Sequence, residues 1–307
     1  VSRDEGGALV DASDGQSVAE ARPEVTADAV PADAVPADAV PADVVIPTTL
    51  GGDRPAALIV PTAYDPSTPW PLVMLLHGYG ASGKLQAAYL GLPQRAESMG
   101  FVLLTPDGTL DSGGSRFWNA FPSCCNFEGV EVDDVAYLRG LIDEAKAALS
   151  IDATRVFLLG HSNGGFMAYR LACDAAGEIT GIATIAGSMS VGAACTPSRP
   201  VSVLTIHGTG DDTILFDGGG YNGVPYLGAR ELVQAWVTRD GCGPPPLVEP
   251  KLFDYDLQAA GAETTTTTWP GCEGGARVAF WEMQGSSHIP PFTNEAKDAI
   301  LQSLLGL

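Results

Sequence analysis

The chain has 307 residues, 45% of them hydrophobic, with 37 acidic against 16 basic side chains and a formal net charge of −21. That surplus of negative charge repels phosphate backbones and anionic lipids, which excludes nucleic acid as a partner. The longest apolar runs, such as Leu72 to Leu76, fall far short of the roughly 20 residues needed to span a bilayer, so no transmembrane segment is expected.

The N-terminal stretch differs from the rest. Residues 27–47 read ADAVPADAVPADAVPADVVIP, a five-residue repeat whose prolines remove backbone donors and forbid both helix and central strand. Residues 1–50 hold ten acidic residues, two basic ones and no aromatic, too little apolar surface to offset the entropy of ordering. Residues 1–47 are therefore expected to form a disordered, self-repelling tether, and residues 48–307 a single domain with a full core. The numbering starts at Val1 instead of Met, as after removal of a signal peptide, so the protein is expected to be exported and able to be tethered at the cell envelope.

Beyond the tether, short aliphatic runs alternate with amphipathic stretches, the pattern of an α/β fold with a mainly parallel sheet covered by helices on both faces. Strands are expected at Ala56–Val60 and Leu72–His77. The second runs into His77-Gly78-Tyr79-Gly80, a turn able to aim the backbone N–H of Tyr79 at a reacting carbonyl oxygen. Gly78 to Lys84 also spells the start of a phosphate-binding loop, but Leu85 stands where a hydroxyl must ligate Mg²⁺, so nucleotide binding is rejected. After a strand at Phe101–Thr105 comes Phe117-Trp118-Asn119, where Trp118 could present a flat surface to a substrate or be an ordinary half-buried aromatic. Val135, Leu138, Leu141, Ile142, Ala145 and Leu149 then recur at helical spacing, with Asp133 and Asp134 at the positive end of that helix dipole.

The strand Arg155–Leu159 leads directly into Gly160-His161-Ser162-Asn163-Gly164 and a helix over Gly164–Cys173. A strand-to-helix turn this tight needs glycine at its flanks and lifts the Ser162 hydroxyl clear of the sheet, which makes Ser162 the expected nucleophile and the Asn163 N–H a second oxyanion donor. Strands follow at Gly181–Ile185 and Val201–His207, and the turn after the latter offers Asp211 and Asp212 side by side. Asp211 is preferred as the carboxylate that orients the base, with Asp212 capping the turn and Asp217 a weaker third candidate. A helix at Gly228–Arg239 and a strand at Arg277–Met283 precede His288, the one histidine of four placed late enough to serve as general base, and a helix at Asn294–Leu305 closes the chain.

Six cysteines in even number, without CxxC or Cys/His metal spacing, point to disulfides, an oxidising compartment and no metal site. The topology pairs Cys173 with Cys195 and Cys242 with Cys272 at the end of the sheet away from the site, which leaves Cys124 and Cys125 to each other. Neither gap between the later strands holds a long apolar helix, so no cap domain is expected over Ser162.

From about Pro47 to Leu305 the chain resembles the secreted polyhydroxybutyrate depolymerase-like and feruloyl or acetylxylan esterase-like α/β-hydrolases. The segments LLHGYG, RFWNAFPSCCN followed by VDDVAYLRGLID, GHSNGGFMAYRLAC and HGTGDD carry the resemblance. It implies an α/β-hydrolase fold and a Ser162, Asp211 and His288 triad that hydrolyses carboxylic esters through an acyl-enzyme. The protein is expected to do so as a monomer without a cofactor. Expected substrates are feruloyl or acetyl esters of polysaccharides, or polyhydroxyalkanoate. An aromatic polyester of the polyethylene terephthalate type is the alternative within the class, and a non-catalytic tethered binding protein the alternative outside it. Around His288 the chain departs from many relatives, with Ser286, Ser287, Ile289 and Pro290 in place of glycines and a tryptophan. Deleting residues 1–45 should leave kcat on a soluble ester unchanged, and a large change in turnover or Tm would show that the repeat packs on the domain.

Overall fold

The computed structural model describes residues 46–221 and 223–306, so nearly all of the expected tether lies outside the described residues. The domain opens with β1 (Thr49–Leu50), β2 (Ala56–Ile59) and β3 (Trp70–Leu76), followed by α1 (Gly83–Leu90), α2 (Leu92–Met99) and β4 (Val102–Thr105). A small ribbon of β5 (Thr109–Leu110) and β6 (Arg116–Phe117) precedes α3 (Asp134–Ala148), β7 (Ile151–His161), α4 (Asn163–Asp174), β8 (Gly181–Ile185) and β9 (Ser202–Gly208). A second ribbon, β10 (Gly219–Tyr221) with β11 (Val224–Tyr226), leads to α5 (Ala229–Arg239). The chain ends with β12 (Leu247–Val248), β13 (Thr264–Trp269), β14 (Val278–Met283) and α6 (Asn294–Leu305).

Ten strands form one sheet in the order β1-β2-β4-β3-β7-β8-β9-β14-β13-β12. The six from β4 to β14 run parallel, and the strands outside them at both edges are antiparallel. Side chains alternate between faces along each strand, so each parallel strand feeds two cores. Leu72, Met74, Leu76, Val156, Leu158, Ile182 and Val203 join Leu138 of α3, Phe166 and Leu171 of α4 and Trp236 of α5 on one face. Val73, Leu75, Phe157, Leu159, Leu204 and Ile206 meet Leu90 of α1, Ala96 of α2 and Ile300 and Leu304 of α6 on the other. This is the α/β-hydrolase fold.

Several elements escaped the sequence reading, among them α1, α2 and β13. Helices α1 and α2 are eight residues each and are joined by Gly91 at φ 61°, with Pro93 in the first turn of α2. A hydrophobic period needs a window of 11–18 residues to show, and the break at Gly91 removes it. The threonine run of β13 is β-branched throughout, and it lies as an antiparallel strand beside β14. The glycine of the apparent phosphate loop also has a packing role, since a Cβ on Gly83 would lie 2.6 Å from the Thr105 carbonyl oxygen. It lets α1 pack on the end of β4.

No helix occurs among the described residues between β8 and β9, and the segment from β9 to α5 is filled by the β10–β11 ribbon, so no cap domain covers the carboxyl ends of the strands. Cys173 is bonded to Cys195, Cys242 to Cys272 and Cys124 to Cys125. None of the described helices is long and apolar enough to cross a membrane.

Asp240 caps the end of α5 in full burial. Its Oδ1 accepts a long bond from the Val201 N–H at 3.4 Å, and its Oδ2 has no partner among the described residues. Burial pushes its carboxyl up to about 6, against the opposing effects of the Val201 bond and of Arg239. A folded-state value above the unfolded one means that the native state binds the extra proton between about pH 4 and 6. Stability therefore falls as pH rises through that window, by up to about 3 kcal/mol. Asp240→Asn should raise Tm at pH 8 and change it little at pH 4; parallel Tm curves for the two proteins would show that Asp240 is not the titrating group.

Candidate active site

Strand β7 ends at His161 and α4 begins at Asn163, so Ser162 alone makes the turn. It does so at φ 54°, ψ −122°, a conformation that costs a non-glycine residue on the order of 1–3 kcal/mol. The neighbours leave no other path. A Cβ on Gly160 would lie 2.2 Å from the Gly164 carbonyl oxygen, and one on Gly164 2.0 Å from that of Leu76. The Ser162 N–H donates to the Ile185 carbonyl at 2.8 Å, and the Ser162 carbonyl accepts from Gly165 and Phe166 in α4. The hydroxyl is thus presented at the carboxyl end of the sheet with its backbone fully engaged.

His288 comes to it from the loop after β14. Its Nε2 lies 2.9 Å from Ser162 Oγ, and its Nδ1 lies 2.8 Å from Asp211 Oδ2. Nδ1–H donates to the carboxylate, which leaves Nε2 to accept the serine proton. Asp211 is buried, and its Oδ1 accepts from the N–H groups of Thr213 and Ile214 at 2.9 Å each. Burial alone would push its carboxyl up, but hydrogen bonds from His207 and His288, the charge of His288 and the Thr213 N–H outweigh it and hold the group well below the usual carboxylate range. Asp212 is exposed and takes the Thr213 hydroxyl at 3.2 Å, and Asp217 is exposed as well. His207 was read as a strand-end residue only. Its Nε2 lies 3.3 Å from Asp211 Oδ2 and 2.8 Å from the Ile214 carbonyl oxygen, so it also steadies the carboxylate.

The glycine turn after β3 borders the nucleophile: a Cβ on Gly78 would lie 3.4 Å from Ser162 Cβ. Among the described residues, neither the Tyr79 N–H nor the Asn163 N–H has an acceptor in the protein. Trp118 is different from the expectation. It is fully buried and cannot offer a face to substrate. Its indole N–H donates to the His77 carbonyl at 3.0 Å, and its backbone N–H and carbonyl pair with the side-chain amide of Asn163 at 2.7 and 3.0 Å. Trp118 therefore braces the turn after β3 against the start of α4. His77, held neutral chiefly by burial, accepts the Gly108 N–H at Nε2 and donates to the Gly78 carbonyl from Nδ1.

Ser162 and His288 open on a cleft of about 360 Å³, walled mainly by Tyr79, Ala81, Leu85, Tyr89 and Ile289. Leu85 and Tyr89 lie on α1, which is why the sequence reading did not place them. Among the described residues no group of three or more His, Cys, Asp or Glu side chains could hold a metal ion.

A serine activated by an imidazole that a buried carboxylate orients, at the strand-to-helix turn of a mainly parallel sheet, defines a serine hydrolase of the α/β-hydrolase fold. No family model matches the sequence. Over 209 residues it is 30% identical to the Aspergillus flavus protein named "Probable feruloyl esterase C", covering 64% of this chain and 71% of that protein. It is also 27% identical over 252 residues to feruloyl esterase D of Neurospora crassa, covering 78% and 75%. The chain therefore belongs to the carboxylesterase family of α/β-hydrolases that holds the feruloyl and acetylxylan esterases. Membership among the polyhydroxybutyrate depolymerases does not follow from these relatives. The matches span 65% and 66% of the length of curated relatives from Nocardia uniformis and Aspergillus niger. An acetyl xylan esterase from Aspergillus awamori shares the fold at TM-score 0.59 and 16% identity, covering 84% of this chain and 98% of that one. A carboxylesterase from Mesorhizobium loti does so at 0.52 and 17%, covering 82% and 95%.

Ser162→Ala should lower kcat on p-nitrophenyl esters by on the order of 10⁶-fold with the circular dichroism unchanged. Asp211→Asn should cost up to about 10⁴-fold. Asp212→Asn should cost little, and the reverse order of these two losses would move the orienting role by one residue.

Proposed function

We propose that the protein is an exported carboxylic-ester hydrolase that acts, as a monomer and without a cofactor, on hydroxycinnamoyl esters of polysaccharides. The observation that carries this reading is a triad opening directly onto an uncovered, largely apolar cleft of about 360 Å³. A planar aromatic acyl group would fill much of that space, whereas an acetyl group would leave most of it to water. Leu85 and Ile289, 64% and 59% exposed at the cleft wall, add apolar surface for an aromatic acid. The relatives named for feruloyl ester cleavage support the same class. Three disulfides favour an oxidising compartment outside the cytosol.

The chemistry follows from the geometry. Ser162 Oγ attacks the ester carbonyl as His288 Nε2 takes its proton, and the oxyanion is received by the N–H groups of Tyr79 and Asn163, each worth about 2.7–4 kcal/mol in the transition state. Collapse expels the alcohol, which takes the proton from His288. Water then repeats the sequence on the acyl-enzyme and frees Ser162. Asp211 stays ionised throughout and stabilises the imidazolium.

An open cleft also admits a polymer chain, and one observation favours that second reading. Tyr79 packs edge-on against Phe127 at 5.4 Å between ring centroids, and Phe127 against Tyr221 at 5.8 Å, so aromatic rings continue outward from the cleft. A polyhydroxyalkanoate or terephthalate polyester could lie along them. The deciding measurement compares kcat/KM on methyl ferulate and acetylated xylan with product release from polyhydroxybutyrate and terephthalate polyester films. Methyl ferulate should be the best substrate, and tributyrin activity should not jump above its solubility limit. Preference for acetylated xylan or for either film would replace the hydroxycinnamoyl assignment, and no turnover of any ester would leave a binding protein on this fold.

A further inference from the structure

The mechanism above gives no part to the buried imidazole next to the nucleophile. His161, the residue before the nucleophile, is 5% exposed. Its Nε2 lies 2.9 Å from the main-chain carbonyl oxygen of His288, and a carbonyl only accepts, so Nε2 carries the hydrogen. The two imidazole rings stand 5.1 Å apart between centroids. Tyr89 of α1 also packs on His161, its ring centroid at 6.0 Å, and the Tyr89 hydroxyl donates to the Pro290 carbonyl at 2.5 Å.

These contacts matter because of the segment they hold. The general base sits in an irregular loop that belongs to no helix or strand, entered through Gly285 at φ 77°. Pro290 and Pro291 have no N–H to donate, so the domain can hold the backbone here by hydrogen bonds only through its carbonyls. Asp211 fixes the rotation of the His288 ring but not the position of its backbone. His161 and Tyr89 reach the carbonyls of residues 288 and 290 from two different elements, one on the nucleophile's own strand and one on the first helix.

We infer that His161 is a positioning residue for the general base, its Nε2–H holding the His288 main chain at the distance the serine requires while the Tyr89 hydroxyl holds the same loop two residues on. The inference rests on His288 acting as the base. His161 can do this only as a neutral ring, because an imidazolium forms on His288 in the transition state and a second cation 5.1 Å away would oppose it. Burial, and after it the charge of His288, push the His161 pKa down to about 4 against the smaller pull of its bond to the His288 carbonyl and of Asp211. The Nδ1 of His161 faces the Gln86 side-chain amide, whose Oε1 lies at 3.3 Å and also accepts the Gly78 N–H at 3.4 Å.

The test follows Ser162 reactivity by the rate of labelling with a fluorophosphonate, which needs only an activated serine and so reads the base loop whatever ester the protein takes. His161→Leu removes the donor, and labelling and kcat should both fall roughly tenfold or more while KM changes little. His161→Gln restores an N–H near the position of Nε2, and both rates should return to within about threefold of the wild type. Wild-type labelling in His161→Leu, or equal losses in the Leu and Gln variants, would overturn the inference. Should His161→Leu fail to fold, Tyr89→Phe carries the same decision with the loss of a single oxygen. Slower labelling at unchanged Tm would support the clamp and a wild-type rate would refute it.

Discussion

The site depends on how closely two pieces of backbone approach. At the start of α4, Gly164 packs against the end of β3 so tightly that a Cβ would fall 2.0 Å from the Leu76 carbonyl oxygen. That approach leaves a single residue to turn the chain from β7 into α4, and Ser162 takes up the strained φ of 54° because strand, helix and sheet together over-determine it. Leu76 is also the last residue of β3, two positions before Gly78, where a Cβ would lie 3.4 Å from Ser162 Cβ. One contact therefore sets both the exposure of the nucleophile and its distance from the turn that would receive the oxyanion. A methyl group at position 160 or 164 would alter both at once.

Around that contact the protein uses polar groups as rigid spacers. Trp118 and Asn163 exchange two backbone-to-amide bonds, the Trp118 indole reaches the His77 carbonyl, and the His77 ring ties Gly78 to Gly108. The loop carrying Trp118 is in turn anchored by Asp134, whose carboxylate takes the Asn119 N–H at 2.7 Å and Arg54 at 2.6 Å. Buried bonds of this kind are strong because water cannot compete for them, and they lose most of their value if one partner is displaced. The Oδ2 of Asp240, at the opposite end of the sheet and without a partner among the described residues, shows the cost of an incomplete set.

The carboxylate side of the triad is built on the same plan. Asp211 spends one oxygen on two backbone N–H groups and the other on two imidazoles, so its charge is satisfied without solvent. The base on the other side is not rigid by itself. Its loop carries two prolines and a left-handed glycine, and it acquires a fixed position only through what the domain extends to it.

How much of this could be read from the chain depends on the range of each interaction. The alternation of apolar strands and amphipathic helices is a local property, so most elements and the fold class were legible, as was Ser162, whose glycines are forced by the turn itself. Chain order was enough to reach the turn that holds Asp211 and Asp212 and to single out His288, and the contact from His288 Nδ1 to Asp211 Oδ2 is what separates the two carboxylates. Helices α1 and α2 were missed because Gly91 splits their pattern, and with them went Leu85 and Tyr89 as walls of the cleft. Trp118 stayed between two readings because an aromatic in a glycine-containing loop reads the same whether its ring faces solvent or fills the space between two backbones. Its burial, the donation from His207 to Asp211 and the grip of His161 on the His288 carbonyl all join residues brought together only when the sheet closes. The sequence by itself determined which residues could do the chemistry, because reactivity belongs to side-chain type and local turn. Only the tertiary structure decided which polar groups face one another across tens of residues, because hydrogen bonds between distant segments leave no periodic trace along the chain.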